Sequence, residues 1–357
     1  MNTHTPLWII EGFYGQPWSS AARWHTLRKL GQWGFDGYIY APKADRSLRR
    51  EWARPFSADE QRALAKLANT AHSASLTFGV GLSPFEIWRD WSSATRKLLT
   101  SKLSALADSG CDQLSLLFDD VRGDVDNLAI IQVEIARFAL EHWPGDTITL
   151  CPTYYSDDPV LAQVFGPPPK GYLETLGRNL PKSIDVFWTG PNVLSTALTD
   201  DHLSDVAERL GRKPVIWDNY PANDGAKSSR FLFLKGAEKR EPALTGLASS
   251  YVANPMVQPY LSQLPLYAIA SLAREPSSAF DAEAALREAA YACAPNDVAE
   301  LLIHHADTFV HRGLDGIEAD ERRRLIEAFA SYDDPYAREV AAWLCGAYTF
   351  DPECLTD

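Results

Sequence analysis

The chain has 357 residues, 46% hydrophobic and 11% aromatic, enough apolar material for one large core or a domain with an appendage. Its formal charge of -13 argues against nucleic acid or an anionic membrane as partner, since both select for basic patches. No apolar stretch is long enough to span a bilayer.

The opening MNTHTPLWIIEGF carries neither a basic leader nor a cleavable apolar segment, so a cytoplasmic location is the expectation. Short apolar runs then recur at 7–13, 38–43, 76–82, 113–120, 147–155, 184–190, 214–220 and 246–254. Their starts lie some thirty to forty residues apart, which leaves room for a crossover helix between successive runs. Between the second and third runs, Ser57 and Glu60 have capping-box spacing ahead of a face made by Leu64, Leu67, Ala68 and Ala71. The next helical segment aligns Leu99, Leu103 and Leu106 and stops at Gly110, and the following one aligns Ile131, Ile135 and Phe138 before Pro144. Residues 228–244, between the last two runs, make the weakest helix candidate.

Strand–helix alternation of this kind implies parallel strands with right-handed crossovers. Eight units in the first 255 residues fit a closed (β/α)8 barrel, spanning 1–258, better than an open doubly wound sheet. The first run leads into EGFYGQPW, whose glycines cannot stand for the G-x-G-x-x-G of a dinucleotide fold. After Asn254 the pattern turns helical, at about 266–274, 281–292, 296–312, 317–331 and 334–346. Residues 259–357 are therefore expected to be a helical region packed on or beside the barrel, and able to pair two copies as a homodimer.

Five scattered cysteines (Cys111, Cys151, Cys293, Cys345, Cys354) form no C-x-x-C pair and read as reduced thiols. His304, His305 and His311 lack the i, i+4 spacing that would set two metal ligands on one helix face. Neither a metal nor a cofactor is expected.

In a barrel the chemistry gathers at the C-terminal ends of the strands. Those ends hold Gly12, Phe13 and Tyr14, then Lys43, the adjacent Asp119 and Asp120, Tyr154 and Tyr155, Trp188 and Thr189, Trp217, Asp218 and Asn219, and Asn254. An aromatic-walled cup with carboxylates, amides and one lysine suits a sugar ring, whose CH faces stack on rings while its hydroxyls need donors and acceptors. Taken singly, each aromatic would be core and Asp119-Asp120 a surface turn. Convergence on one mouth is what favours a site.

The segments EGFYGQPW, YIYAPK, LLFDDV, CPTYY, WTGPNV, VIWDNYPAND and ANPM resemble, in order, the catalytic domain of family 84 glycoside hydrolases, the O-GlcNAcases and related β-N-acetylglucosaminidases. The resemblance covers roughly 7–260, and the helical remainder is similar only loosely. It implies a (β/α)8 barrel and retaining hydrolysis in which the 2-acetamido group of the sugar is the nucleophile and forms an oxazoline, an exception to the two-carboxylate scheme. It implies that Asp119 orients and polarises the acetamide and that Asp120 is the general acid, then the base. Their titrations would be coupled, an ionised Asp119 raising the proton affinity of Asp120. By the same resemblance Tyr155 meets the acetamide carbonyl, Gly12 and Lys43 contact ring hydroxyls, and Asn219, Asp224 and Asn254 add polar contacts, with Asp224 at the 4- and 6-hydroxyls. Trp217 would wall the sugar pocket, and Thr189 and Val193 would line its acetamide side. Ala44 and Tyr154 depart from the usual pattern and put the aglycone preference in doubt.

The implied partner is a GlcNAc-bearing glycoprotein or glycan; protein-linked sugar, chitin or cell-wall fragments and hyaluronan pieces all present the same terminal residue. Two rivals stay open at this level. One is an inactive GlcNAc-binding module, and the other is a metal-dependent hydrolase using both aspartates, although no strand run contains a histidine.

Overall fold

The computed structural model describes residues 5–119, 122–123, 125–276 and 280–350. Strands β1 (Leu7–Glu11), β2 (Gly37–Tyr40), β3 (Thr77–Leu82), β4 (Gln113–Leu117), β5 (Thr147–Cys151), β6 (Ile184–Trp188), β7 (Val215–Asp218) and β8 (Ser250–Ala253) are all parallel. They close in chain order, β8 pairing back to β1, so the chain folds as a (β/α)8 barrel. Each apolar run marks a strand, but every ladder except that of β3 stops before its run does, because the last residues turn out of the sheet to form the mouth.

Helices α1 (Ser20–Trp33), α2 (Ala58–Ser73), α3 (Ser93–Asp108), α4 (Leu128–His142), α5 (Pro159–Phe165), α6 (Tyr172–Asn179) and α7 (Asp200–Leu210) fill the first six crossovers. The capping box is formed: Ser57 Oγ accepts from the Glu60 N–H at 3.3 Å while Glu60 accepts from the Ser57 N–H at 2.6 Å. Gly110 lies just past α3 at φ 86°, the left-handed conformation that suits a helix stop. The weak helix candidate at 228–244 contains no α-helix, only a short 3-10 turn at Ser228–Arg230 and the start of a wide turn at Ala243–Leu247. Its apolar residues Leu232 and Leu234 pack instead into the core of the C-terminal helices.

After β8, α8 (Gln263–Arg274) packs against α1 and the Ala243–Leu247 turn, completing the outer ring. Its Leu266, Ile269 and Leu272 join the barrel's core while Leu264 joins the second one. Helices α9 (Ala282–Cys293), α10 (Asn296–Asp307), α11 (Ala319–Ala330) and α12 (Pro335–Leu344) surround Phe309, Phe329 and Trp343. Glu339 of α12 reaches back, accepting the N–H groups of Tyr260 and Leu261 at 3.1 and 2.8 Å in the link that follows β8.

No described helix is long and apolar enough to cross a membrane.

Candidate active site

Side chains alternate along a strand, and here the alternation separates lumen from helix layer. Ile10, Ile39, Ala41, Leu117, Cys151, Phe187, Val215, Trp217 and Val252 form the lumen core. Extending the inward series by two residues gives Gly12, Lys43, Asp119, Thr189, Asn219 and Asn254. All six line one cavity of about 480 Å³ at the C-terminal mouth, within the size range of small-molecule sites. Trp217, Tyr155, Val193 and Asp224 line it too, so ten of the eleven sequence-derived site residues converge. The eleventh, Asp120, lies outside the described residues.

The intervening residues face the helices, and this corrects the expectation that every polar or aromatic strand end shares the mouth. Phe13 is buried against Trp18, Tyr154 donates its hydroxyl to Gly166 O at 2.7 Å, and the Trp188 indole N–H meets His202 at 3.0 Å. Asp218 turns outward to Arg240, whose Nε lies 2.6 Å away, and also accepts the Tyr251 hydroxyl. Glu11, of the same outward set, accepts from Arg23, Tyr38 and the Trp18 N–H. The two carboxylates are thereby fully paired and unavailable to a ligand. Arg240 fixes β7 from outside, so Trp217 and Asn219 on either side of Asp218 are held inward.

Within the cavity, Lys43 and Asp119 form a buried ion pair. Burying a charge is tolerated when a counter-charge and hydrogen bonds accompany it, and Lys43 provides that for Asp119. Arg49, itself buried, donates to the Lys43 carbonyl at 3.0 Å and steadies the loop after β2. On the next stretch of wall, Asp224 accepts the Tyr14 N–H at 2.7 Å. Burial raises its carboxyl above the ordinary value, while that N–H and the Lys43 charge pull it back.

A relay of amides makes the floor. Asn254 Oδ1 accepts from Gly12 N at 3.3 Å, Asn254 Nδ2 donates to Asn219 Oδ1 at 3.0 Å, and Asn219 Oδ1 also accepts the Trp217 indole N–H at 2.9 Å. Asn219 Nδ2 donates to Val193 O at 3.0 Å, which ties the β6 loop to the β7 end. Trp217 stands edge-on to Phe187 with centroids 5.2 Å apart. It also passes so close to Gly12 that a Cβ there would lie 2.7 Å from its ring. Thr189 donates its N–H to Tyr155 O at 2.9 Å, bringing the β5 and β6 ends together.

Tyr14, already named among the strand ends, lines the cavity as well; Cys151, Leu194, Gly225, Ala226, Ser228 and Phe350 also line it and were not among the sequence-derived residues. Cys151 follows the inward alternation and could have been found that way. Phe350, about 230 residues beyond Asp119, carries no local signal. Among the described residues no three His, Cys, Asp or Glu side chains gather into a metal-binding group.

Comparison with known proteins agrees with this geometry. A family model described as beta-N-acetylglucosaminidase matches residues 8–307. Protein O-GlcNAcase of Rattus norvegicus and of Mus musculus are each 31% identical over 256 residues, 69% of this chain. The match spans only 27% of those two proteins. A mutant of an O-GlcNAc hydrolase from Thermobaculum terrenum superposes with a TM-score of 0.79 at 27% identity, covering 97% of this chain and 81% of that one. Barrel and matches place the chain in a family of glycoside hydrolases. The chain belongs to the β-N-acetylglucosaminidase family, family 84 of the glycoside hydrolases.

Proposed function

We propose that the chain is a retaining exo-β-N-acetylglucosaminidase that works by substrate assistance and removes terminal β-linked GlcNAc from Ser or Thr of glycoproteins. The observation that carries this reading is the buried Lys43–Asp119 pair in a sugar-sized cavity, immediately before Asp120 in the chain and sharing that cavity with Tyr155. In the first step the acetamide oxygen bonds to C1 as the C1–aglycone bond breaks, and Asp120 gives its proton to the departing oxygen. Asp119 accepts the acetamide N–H and balances the positive charge that grows on the forming ring. Tyr155 donates to the acetamide oxygen and sets its angle of attack. In the second step water adds to C1, its proton returns to Asp120, and the oxazoline opens to the acetamide. Two displacements on opposite faces leave the β configuration unchanged. The nucleophile is tethered to the substrate, which lowers the entropic part of the barrel's task to orientation.

A polypeptide aglycone is supported by a second cavity of about 960 Å³ that shares Leu194, Asn219 and Ser228 with the sugar cavity. It runs on past Phe233 and Phe280, offering apolar contact beyond a single sugar. The names of the two rodent relatives support the same reading.

The test is hydrolysis of 4-nitrophenyl β-N-acetylglucosaminide and of a GlcNAc-serine peptide by wild type, Asp119→Asn and Asp120→Asn, with and without an acetamide-thiazoline. Cleavage of both by wild type, loss in the two variants and nanomolar-to-micromolar thiazoline inhibition are expected. Binding of GlcNAc without cleavage at any pH would leave an inactive sugar-binding module. Indifference to the thiazoline would remove the internal nucleophile, and a preference for chitin or hyaluronan fragments would remove the protein substrate.

A further inference from the structure

Beyond α12 the chain turns back over the barrel mouth. The buried Trp343 donates its indole N–H to Ser229 O at 3.1 Å, fixing the helix end to the β7–β8 connection. Gly346 at φ 84° reverses the direction, Ala347 N bonds to Ala342 O at 3.0 Å, and Thr349 Oγ1 donates to Gly346 O at 2.6 Å. This local bonding delivers Phe350 to the sugar cavity. Ala347, Tyr348 and Thr349 face a neighbouring cavity of about 390 Å³ whose other lining includes Pro17, Ala44 and Val257. Three residues, Tyr14, Asp224 and Phe350, line both cavities and therefore form the partition between them.

The ring position facing that partition follows from the order of charges around the wall. Lys43, after β2, is paired with Asp119, after β4, on one side; on the other, across β1 in the closed strand order, lies Tyr14, whose N–H binds Asp224. If Asp119 takes the acetamide at C2, as the proposed function has it, Lys43 faces C3 and Asp224 faces C4, with C6 adjacent. We propose that Phe350 is a specificity-determining residue: with Tyr14 and Asp224 it closes the sugar pocket against substituents on O4 and O6, restricting the enzyme to unsubstituted terminal residues. Asp224 and Tyr14 are tied to each other by a hydrogen bond, so they form the fixed part of the partition. Phe350 is the part supplied by the C-terminal segment, and its ring carries no group able to bond a displaced hydroxyl. Removing it joins the sugar cavity to the space behind.

The experiment compares kcat/KM for 4-nitrophenyl β-N-acetylglucosaminide with that for its 6-O-methyl ether and its 4-O-galactosylated form, in wild type, Phe350→Ala and Phe350→Trp. Wild type should prefer the unsubstituted glycoside strongly. Phe350→Ala should cut that preference by about tenfold or more, the scale on which one small group matters in a shaped pocket, and Phe350→Trp should sharpen it. Thermal unfolding of each variant establishes that it is folded. Unchanged preference ratios in both variants would overturn the assignment while leaving the hydrolase reading intact. A wild type inactive on the unsubstituted glycoside would sink that reading and the proposal with it.

Discussion

Gly12→Ala makes a sharp test of how the sugar pocket is built. A Cβ at this position lies 2.7 Å from Trp217 Cζ2 and 3.1 Å from Cη2, where ordinary contacts begin near 3.4 Å. The indole must therefore retreat by about 0.7 Å, or the β1 end must move by as much. Neither shift is free. Trp217 is only 5% exposed, braced by Phe187 and bonded to Asn219, while Gly12 is bonded to Asn254. Overpacking of this kind costs about 1–3 kcal/mol of stability. A displacement approaching 1 Å in a positioning wall reduces kcat/KM by up to about a hundredfold. Gly12 is not in a left-handed conformation, so backbone strain adds nothing and the collision with the ring is the whole effect. Trp217→Phe removes both clashing atoms. In a double-mutant cycle followed by urea unfolding, Gly12→Ala should therefore cost at least about 1 kcal/mol less in the Trp217→Phe background. Additive losses, or a Gly12→Ala enzyme with wild-type stability and kinetics, would refute the account of the wall.

Three further outcomes follow from the same geometry. Asp119→Asn should lower kcat/KM by about 10²–10³ through loss of charge stabilisation at the acetamide, and a rate close to that of wild type would exclude Asp119 from the reaction. Asp120→Asn should slow glycosides with poor leaving groups by about 10²–10⁴ and those with highly acidic phenols far less, and equal losses for both would exclude it as the general acid. Glu339 is buried, which pushes its carboxyl up from 4.5 to about 8 despite the N–H groups of Tyr260 and Leu261. Between those values the folded chain keeps a proton that the unfolded chain has released, so stability falls as pH rises through the window, by up to about 1.4 kcal/mol per unit, and levels off above it. Urea unfolding from pH 5 to 9 should show this slope in wild type and a flatter curve in Glu339→Gln; parallel curves would contradict it.

Much of the barrel was legible because the beat of apolar runs has a physical origin, each run being a strand buried on both faces. Helix starts were legible where side chains cap their own backbone, as Ser57 and Glu60 do. What could not be read was the direction of a side chain just past a strand end. Trp217, Asp218 and Asn219 look alike in the sequence, yet one of the three is spent on Arg240. The alternation itself resolves this once the inward series is anchored, as Val215 and Trp217 anchor Asn219. The β7–β8 connection misled in another way: Leu232 and Leu234 give it a helix-like apolar content, but they answer to the C-terminal helices. Phe350 was invisible because its place depends on a return path set by Trp343 and Gly346, not on its neighbours in the chain.

The two-residue alternation at the barrel mouth also has a practical meaning for engineering. At six of the eight strand ends, neighbouring positions answer to separate demands, one to the ligand and the next to the scaffold. A library confined to positions 189, 219 and 254 would vary recognition while leaving the Lys43–Asp119 pair and the Glu11 and Asp218 anchors untouched. Randomising the same number of consecutive residues would also break buried anchors such as Asp218–Arg240.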